Sequence, residues 1–175
     1  MEVNGKNYEI VKMIGHGKGG YSYLAKAGST FVVAKQIHHE PCAYYQFGNK
    51  IEAELSDYKR LVSIGISIPK LLDFDVAKEI IVKEYIEGPT VFDLVKNHRD
   101  VEQYITQVRE MAELAKSNGL NIDYFPTNFV VSNHVLFYID YECNEYMEEW
   151  NFDNWGIKYW SYSKEFEEHL KKDKI

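Results

Sequence analysis

Four glycines fall within six residues at Gly15-His16-Gly17-Lys18-Gly19-Gly20. A regular helix does not persist through such a run, because each interior glycine costs about 1 kcal/mol relative to alanine. The flanks are extended in character: Tyr8–Ile14 reads YEIVKMI and Tyr21–Lys26 reads YSYLAK. A turn at Ala27-Gly28-Ser29 then leads into the β-branched run Thr30–Ile37. Extended runs joined by glycine-bearing turns predict antiparallel hairpins. Gly15, Gly17 and Gly20 satisfy G-x-G-x-x-G, a pattern that lets backbone N–H groups converge on phosphate. The dinucleotide-binding form of that pattern requires a helix after the glycines. Here a strand follows, which argues against a Rossmann fold.

Beyond the hairpins, residues 43–64 predict a helix, with Ile51, Leu55, Tyr58 and Leu61 or Val62 at helical spacing and Gly65 as its stop. Ile66–Phe74, broken by Pro69, and Glu79–Tyr85 predict two further strands. Gly88-Pro89 punctuates the chain and marks the expected boundary between a first lobe at 1–88 and a second at 89–175. In the second, Thr90 is placed to cap a short helix to Asn97. Val101–Lys116 predicts a longer helix closed by Asn118-Gly119. Phe129–Val131 and Val135–Ile139 predict strands turned at Asn133-His134. The tail holds three tryptophans and ends in an amphipathic acidic helix.

Lys35 lies among apolar neighbours in Val33-Ala34-Lys35, where an ammonium is costly unless an anion meets it. The next helix offers Glu52 and Glu54. Glu54 lies on the flank of the apolar face, one turn from Ile51 and Tyr58, and Glu52 points to solvent, so Glu54 is the expected partner. Later in the chain come Asp123-Tyr-Phe-Pro-Thr-Asn128 and Tyr138-Ile139-Asp140-Tyr141-Glu142.

Taken in order, these features resemble the protein-kinase-like superfamily. Glu54 lies 19 residues after Lys35, close to the family's lysine-to-glutamate spacing. Glu84-Tyr85-Ile86-Glu87-Gly88 resembles the hinge, whose backbone groups at Glu84 and Ile86 would meet adenine. Asp123 and Asn128 match the D-x-x-x-x-N catalytic loop, and Asp140 the metal-binding strand end. The resemblance implies a two-lobed α+β fold. Its first lobe would pair an antiparallel sheet with one helix, and its second would be a truncated, mostly helical lobe. It implies ATP- and Mg²⁺-dependent phosphoryl transfer to a hydroxyl of a small molecule or a protein. In that scheme Gly15, Gly17, Gly20 and Lys35 meet nucleotide, Glu54 holds Lys35, Asp123 serves the acceptor, and Asn128 and Asp140 hold metal.

Several positions depart from the protein kinases. Lys83 replaces the apolar gatekeeper, Asn121 stands where the family has His, and Tyr-Glu follows Asp140. No A-P-E motif appears, and the 35 residues after Asp140 lead to the expectation of a reduced second lobe. The Asp-Tyr-Phe-Pro-Thr-Asn-Phe form is similar to aminoglycoside and choline phosphotransferases, and to the small atypical kinase of the tRNA threonylcarbamoyl machinery. A nucleotide-binding pseudokinase or scaffold, or a partner in tRNA modification, is the alternative reading.

Charge narrows the partners. The net charge is −7, distributed as zero over residues 1–88, −3 over 89–140 and −4 over 141–175. Direct nucleic-acid binding is not expected of an acidic chain, since it needs basic surface to displace counterions. Residues 141–157 carry five carboxylates and no basic residue, interleaved with aromatics. An ordinary solvated face explains them; a cationic acceptor held by Glu145, Glu149 and Trp150 is the sharper expectation. His38-His39-Glu40 has metal-binding residue types, but no second cluster accompanies it in sequence, so a solvated strand end is expected. The two cysteines, Cys42 and Cys143, are too few for a disulfide scaffold. No apolar stretch approaches the roughly 18 residues of a membrane span. The N-terminus has no apolar h-region. A cytoplasmic setting with no membrane partner is the expectation.

Overall fold

The computed structural model describes residues 1–41 and 48–172. It is a mixed α+β chain that divides into two compact units. The first comprises Met1–Tyr58 and Pro69–Tyr85, the second Lys59–Ile68 and Ile86–Ile175.

The first unit is built on a five-stranded antiparallel sheet. Its strands are β3 (Glu9–Gly17), β4 (Gly20–Ala27), β5 (Thr30–Ile37), β6 (Leu71–Asp75) and β7 (Ile80–Glu84), in the order β3-β4-β5-β7-β6. Gly28, at φ +63°, turns β4 into β5, as the glycine-bearing turn predicts. Alternation along β5 separates two faces. Val32 and Ala34 join Val3, Tyr8, Ala25, Ile80 and Val82 in one apolar cluster. Val33, Lys35 and Ile37 point the other way. A small hairpin, β1 (Glu2–Val3) with β2 (Lys6–Asn7), precedes the sheet and turns at Asn4-Gly5, both at positive φ. Asp73 fastens it: its carboxylate accepts from Asn4 Nδ2 at 2.7 Å and from the Tyr8 hydroxyl at 3.1 Å.

The helix expected over 43–64 is α1 (Lys50–Ser63); residues 43–47 of that expectation lie outside the described residues. Its last turn belongs to the second unit, because Leu61 and, just beyond it, Ile66 are buried in that unit's core. This moves residues 59–68 out of the first lobe expected from the sequence. The other boundary falls between Tyr85 and Ile86, slightly before Gly88-Pro89. Residues 66–70 form no strand; β6 begins only at Leu71, after Pro69.

In the second unit, α2 (Val91–Lys96) opens with a capping box. The Thr90 hydroxyl accepts from the Asp93 N–H at 3.0 Å, while the Asp93 carboxylate faces the Thr90 N–H. In α3 (Glu102–Ser117), Tyr104, Val108, Met111 and Ala115 form the buried stripe. Two short ladders follow: β8 (Leu120–Ile122) with β11 (Cys143–Glu145), and β9 (Phe129–Ser132) with β10 (Val135–Tyr138). Asn133 and His134 both adopt positive φ, the signature of a two-residue primed turn. Gly88 enters this unit so closely that a Cβ there would lie 1.9 Å from the Val131 carbonyl oxygen. The core closes on Trp160, which is fully buried, packs edge-on against Phe129 and Phe152, and donates its indole N–H to the Tyr124 carbonyl at 2.8 Å. The final helix, α4 (Lys164–Lys172), contributes Phe166. The expected mostly helical second lobe is thus a mixture of helices, short ladders and 3-10 turns.

Candidate functional site

The first unit gathers the glycine hairpin, Lys35 and Glu54. β3 and β4 pair as far as Gly17 with Gly20, leaving Lys18-Gly19 as the tip. Register places Lys35 opposite Ser22 on β4 and Ile81 on β7, a central position in the sheet. Its ammonium forms an ion pair with Glu54, both side chains being nearly nine-tenths buried, while Glu52 is exposed. A Cβ on Gly19 would sit 3.2 Å from Lys35 Nζ and 3.3 Å from Glu54 Oε1, so the hairpin tip lies directly against the pair. Lys83 is also buried, and through the Lys35–Ile81 pairing it shares a sheet face with Lys35.

The glycines of the hairpin differ in what the fold asks of them. At Gly20 a side chain would collide with the Gln36 backbone. At Gly17 nothing lies within 4 Å of an added Cβ, and at Gly15 only Ser22 Cβ does, at 3.7 Å. Neither has positive φ. Packing therefore accounts for Gly20 and leaves Gly15 and Gly17 open to a ligand's approach.

Lys50 was not singled out in the sequence. Buried at the start of α1, it donates to the Lys18 carbonyl at 3.3 Å and to the His38 carbonyl, tying the hairpin tip to the end of β5. A lysine opening a helix carries no pattern that would have flagged it. Glu84 closes β7, and its N–H donates to the Lys70 carbonyl at 2.9 Å, so that amide already serves the sheet. Ile86 follows the strand, at the first position counted with the second unit.

In the second unit the structure brings Asp123, Asn128 and Asp140 together. Tyr138 pairs with Phe129 in the β9–β10 ladder, and one step on the Ile139 N–H donates to the Asn128 carbonyl at 2.8 Å. Asp140 thus emerges beside Asn128. Asn128 Nδ2 reaches the Asp123 carbonyl at 3.4 Å. Asp123 Oδ1 accepts from the Phe125 N–H at 3.0 Å and Asp140 Oδ1 from the Tyr141 N–H at 2.8 Å, so both carboxylates are oriented by backbone. Tyr138, which sequence reasoning passed over as a strand residue, organises the group. Its hydroxyl accepts from the Asp123 N–H at 3.3 Å and donates to the Glu142 carbonyl at 2.9 Å. Burial, then the nearby charges of Asp140, Asp123 and Glu142, push its phenol well above the ordinary tyrosine range. It stays a neutral donor. Two carboxylates and an amide give a set of hard oxygen donors, the chemistry that suits Mg²⁺.

Asn121 is buried and donates to the Met147 carbonyl at 2.9 Å, holding the segment after β11 rather than the Asp123 loop.

The acidic tail departs from expectation. β11 runs antiparallel to β8, so Glu145 sits opposite Leu120, roughly 10 Å along the strand from Asp123. The chain then continues away: the Tyr146 N–H donates to the Gly119 carbonyl. Tyr146 packs beneath Lys116 of α3, and Asp153 pairs with Arg109 of the same helix at 3.1 Å. The Glu148 carboxylate accepts from Tyr146 and Asn151. Glu149 and Trp150 are exposed, Trp150 edge-on to Trp155. Strand pairing therefore carries Glu145 away from Asp123 and toward the C-terminal end of α3, while Glu149 and Trp150 lie beyond β11 on the exposed surface. Two shallow concavities, one lined by Asn4 and residues 71–76 and one on α3 around Arg109, contain none of the residues singled out in the sequence.

Among the described residues no helix is long and apolar enough to cross a membrane. No family profile matches the chain, and no curated protein matches it in sequence.

Proposed function

We propose that the chain is an ATP- and Mg²⁺-dependent phosphotransferase acting on a hydroxyl of a small molecule or a protein. The observation that carries the reading is the buried Lys35–Glu54 pair lying against Gly19 of the glycine hairpin. A fold gains little from a buried ion pair that an apolar pair would not supply. A lysine held for phosphate, beside a hairpin whose Gly15 and Gly17 packing does not require, has a reason to be there.

In this reading the hairpin N–H groups and Lys35 bind the phosphates, and Glu54 orients Lys35. Asn128 and Asp140 would hold Mg²⁺, which when bound neutralises charge on the phosphate oxygens. The acceptor oxygen attacks the γ-phosphorus and its proton passes to Asp123. The bond from that phosphorus to the β–γ bridging oxygen breaks, and ADP departs. The reading requires Lys35 and Asp140 to serve one nucleotide.

Thermal unfolding at millimolar ATP with and without Mg²⁺ tests it. A ligand at 100 times its Kd stabilises by about 2.7 kcal/mol. Lys35→Ala should lose that stabilisation, and Asp140→Asn should lose its Mg²⁺ dependence. Absence of any nucleotide-induced shift in the unaltered protein overturns the reading. A shift without transfer or ATP hydrolysis for any acceptor leaves a nucleotide-binding scaffold.

A further inference from the structure

We propose a second ligand site, independent of the nucleotide reading: a first-row transition-metal site of the Zn²⁺ class formed by His16, His38 and Glu40. The ligand atoms these three offer all lie within 4.8 Å of one another. His16 Nε2 is 3.6 Å from a Glu40 carboxylate oxygen. Two imidazoles and a carboxylate form a donor set suited to Zn²⁺, leaving a fourth position for water or an anion. With bonds of about 2.0–2.2 Å, tetrahedral ligands stand roughly 3.4 Å apart. The observed spacing therefore closes onto an ion with small side-chain movements.

Strand register produces this grouping. His16 on β3 pairs directly with Tyr21 on β4, and Tyr21 pairs with Gln36 on β5. Directly opposed residues share a face, and His38, two residues after Gln36, continues on it. Three neighbouring strand ends thus present His16, Tyr21 and His38 side by side, with ring centroids 4.5 to 5.4 Å apart. His39, on the other side, turns to Glu79 at 2.6 Å.

The surroundings orient the ligands as outer partners do in metal sites. His38 Nε2 lies 2.9 Å from the Gly17 carbonyl, so that nitrogen carries the proton and Nδ1 carries the lone pair. Nδ1 accepts from the Glu40 N–H at 3.3 Å, a weak competitor for a metal. Tyr21 stacks on His16 with ring planes 13° apart and donates its hydroxyl to Glu40, fixing the ring and the carboxylate together. A bound ion would clamp the glycine hairpin to the end of β5.

The test is isothermal titration of tag-free protein with Zn²⁺, in a Cys42→Ser background that removes a competing thiol. One equivalent should bind. Affinity should fall about ten-fold or more in His16→Ala, His38→Ala and Glu40→Gln, and stay unchanged in His39→Ala. In the unaltered protein, Co²⁺ should shift the ring protons of His16 and His38 in the NMR spectrum by contact, far more than those of His39 and His98, a readout independent of how the variants fold. Absence of saturable Zn²⁺ binding, equal affinity in His16→Ala and His38→Ala, or Co²⁺ shifts centred on other histidines would overturn the proposal.

Discussion

Gly20 packs against Gln36 so tightly that a Cβ on the glycine would lie 2.4 Å from the Gln36 carbonyl oxygen, whereas one on Gly17 would meet nothing within 4 Å. The two glycines belong to the same pattern but answer to different demands. Gly20→Ala should destabilise by about 1–3 kcal/mol, the cost of forcing a side chain into a packed backbone. Gly17→Ala should leave stability within about 0.5 kcal/mol and, if the hairpin cradles phosphate, weaken nucleotide binding. Urea unfolding beside ATP titration separates the effects. Equal loss of stability in both variants would reduce the glycine pattern to a packing device.

The Lys35–Glu54 pair makes a second prediction. Removing either charge alone leaves the other buried without the charge it pairs with here, so Lys35→Met and Glu54→Leu should each destabilise the fold. The double variant should lose less than the sum, with a coupling of about 0.5–3 kcal/mol in a double-mutant cycle. Additive losses would mean that the two side chains are held by their surroundings and not by each other.

What the sequence revealed, and what it hid, follows from how local each signal is. The Thr90 cap and the Asn133-His134 turn are set by residues within four positions of one another, and both are legible without a fold. Lys35 and Glu54 are separated by 19 residues, but burial cost and helical periodicity each point to the other. The β8–β11 pairing was not legible. Each strand has three residues, too few for alternation to show, and their separation leaves no turn to mark the partnership. That pairing is what carries Glu145 away from Asp123. His16 and His38 lie 22 residues apart and meet only through the register of three strands, so His38-His39-Glu40 looked isolated.

Acid should weaken the attachment of the β1–β2 hairpin to Asp73. Burial works to raise the Asp73 pKa, but hydrogen bonds from Asn4, Tyr8 and the Phe74 N–H, with the charge of Lys6, outweigh it and hold the carboxyl below its ordinary value of 3.8. A carboxyl depressed in the folded state contributes stability that is fully present above the unfolded pKa and is lost as pH falls through the folded one. The hold of Asp73 on the β1–β2 hairpin should therefore weaken below about pH 4. In Asp73→Asn, unfolding free energy between pH 2 and 5 should vary less steeply than in the unaltered protein. Parallel acid limbs in the two proteins would assign the loss to other carboxylates.

Asp123 carries the most specific chemical claim. Its Oδ1 accepts the Phe125 N–H, and its backbone N–H meets the Tyr138 hydroxyl. Asparagine preserves an acceptor at the same place, so Asp123→Asn should keep the loop and its melting temperature. It cannot take a proton from an acceptor hydroxyl at neutral pH. Transfer should fall by about 10²–10⁴-fold, the usual contribution of a positioned base, while nucleotide-induced stabilisation stays nearly intact, since the loss falls on the transition state alone. Asp123→Ala should lose transfer as well, and should lower the melting temperature through the Phe125 bond. The comparison thereby distinguishes a chemical role from a loop-holding one. Turnover unchanged in Asp123→Asn, with transfer otherwise intact, would remove Asp123 from the reaction and move the proton to another group or to solvent.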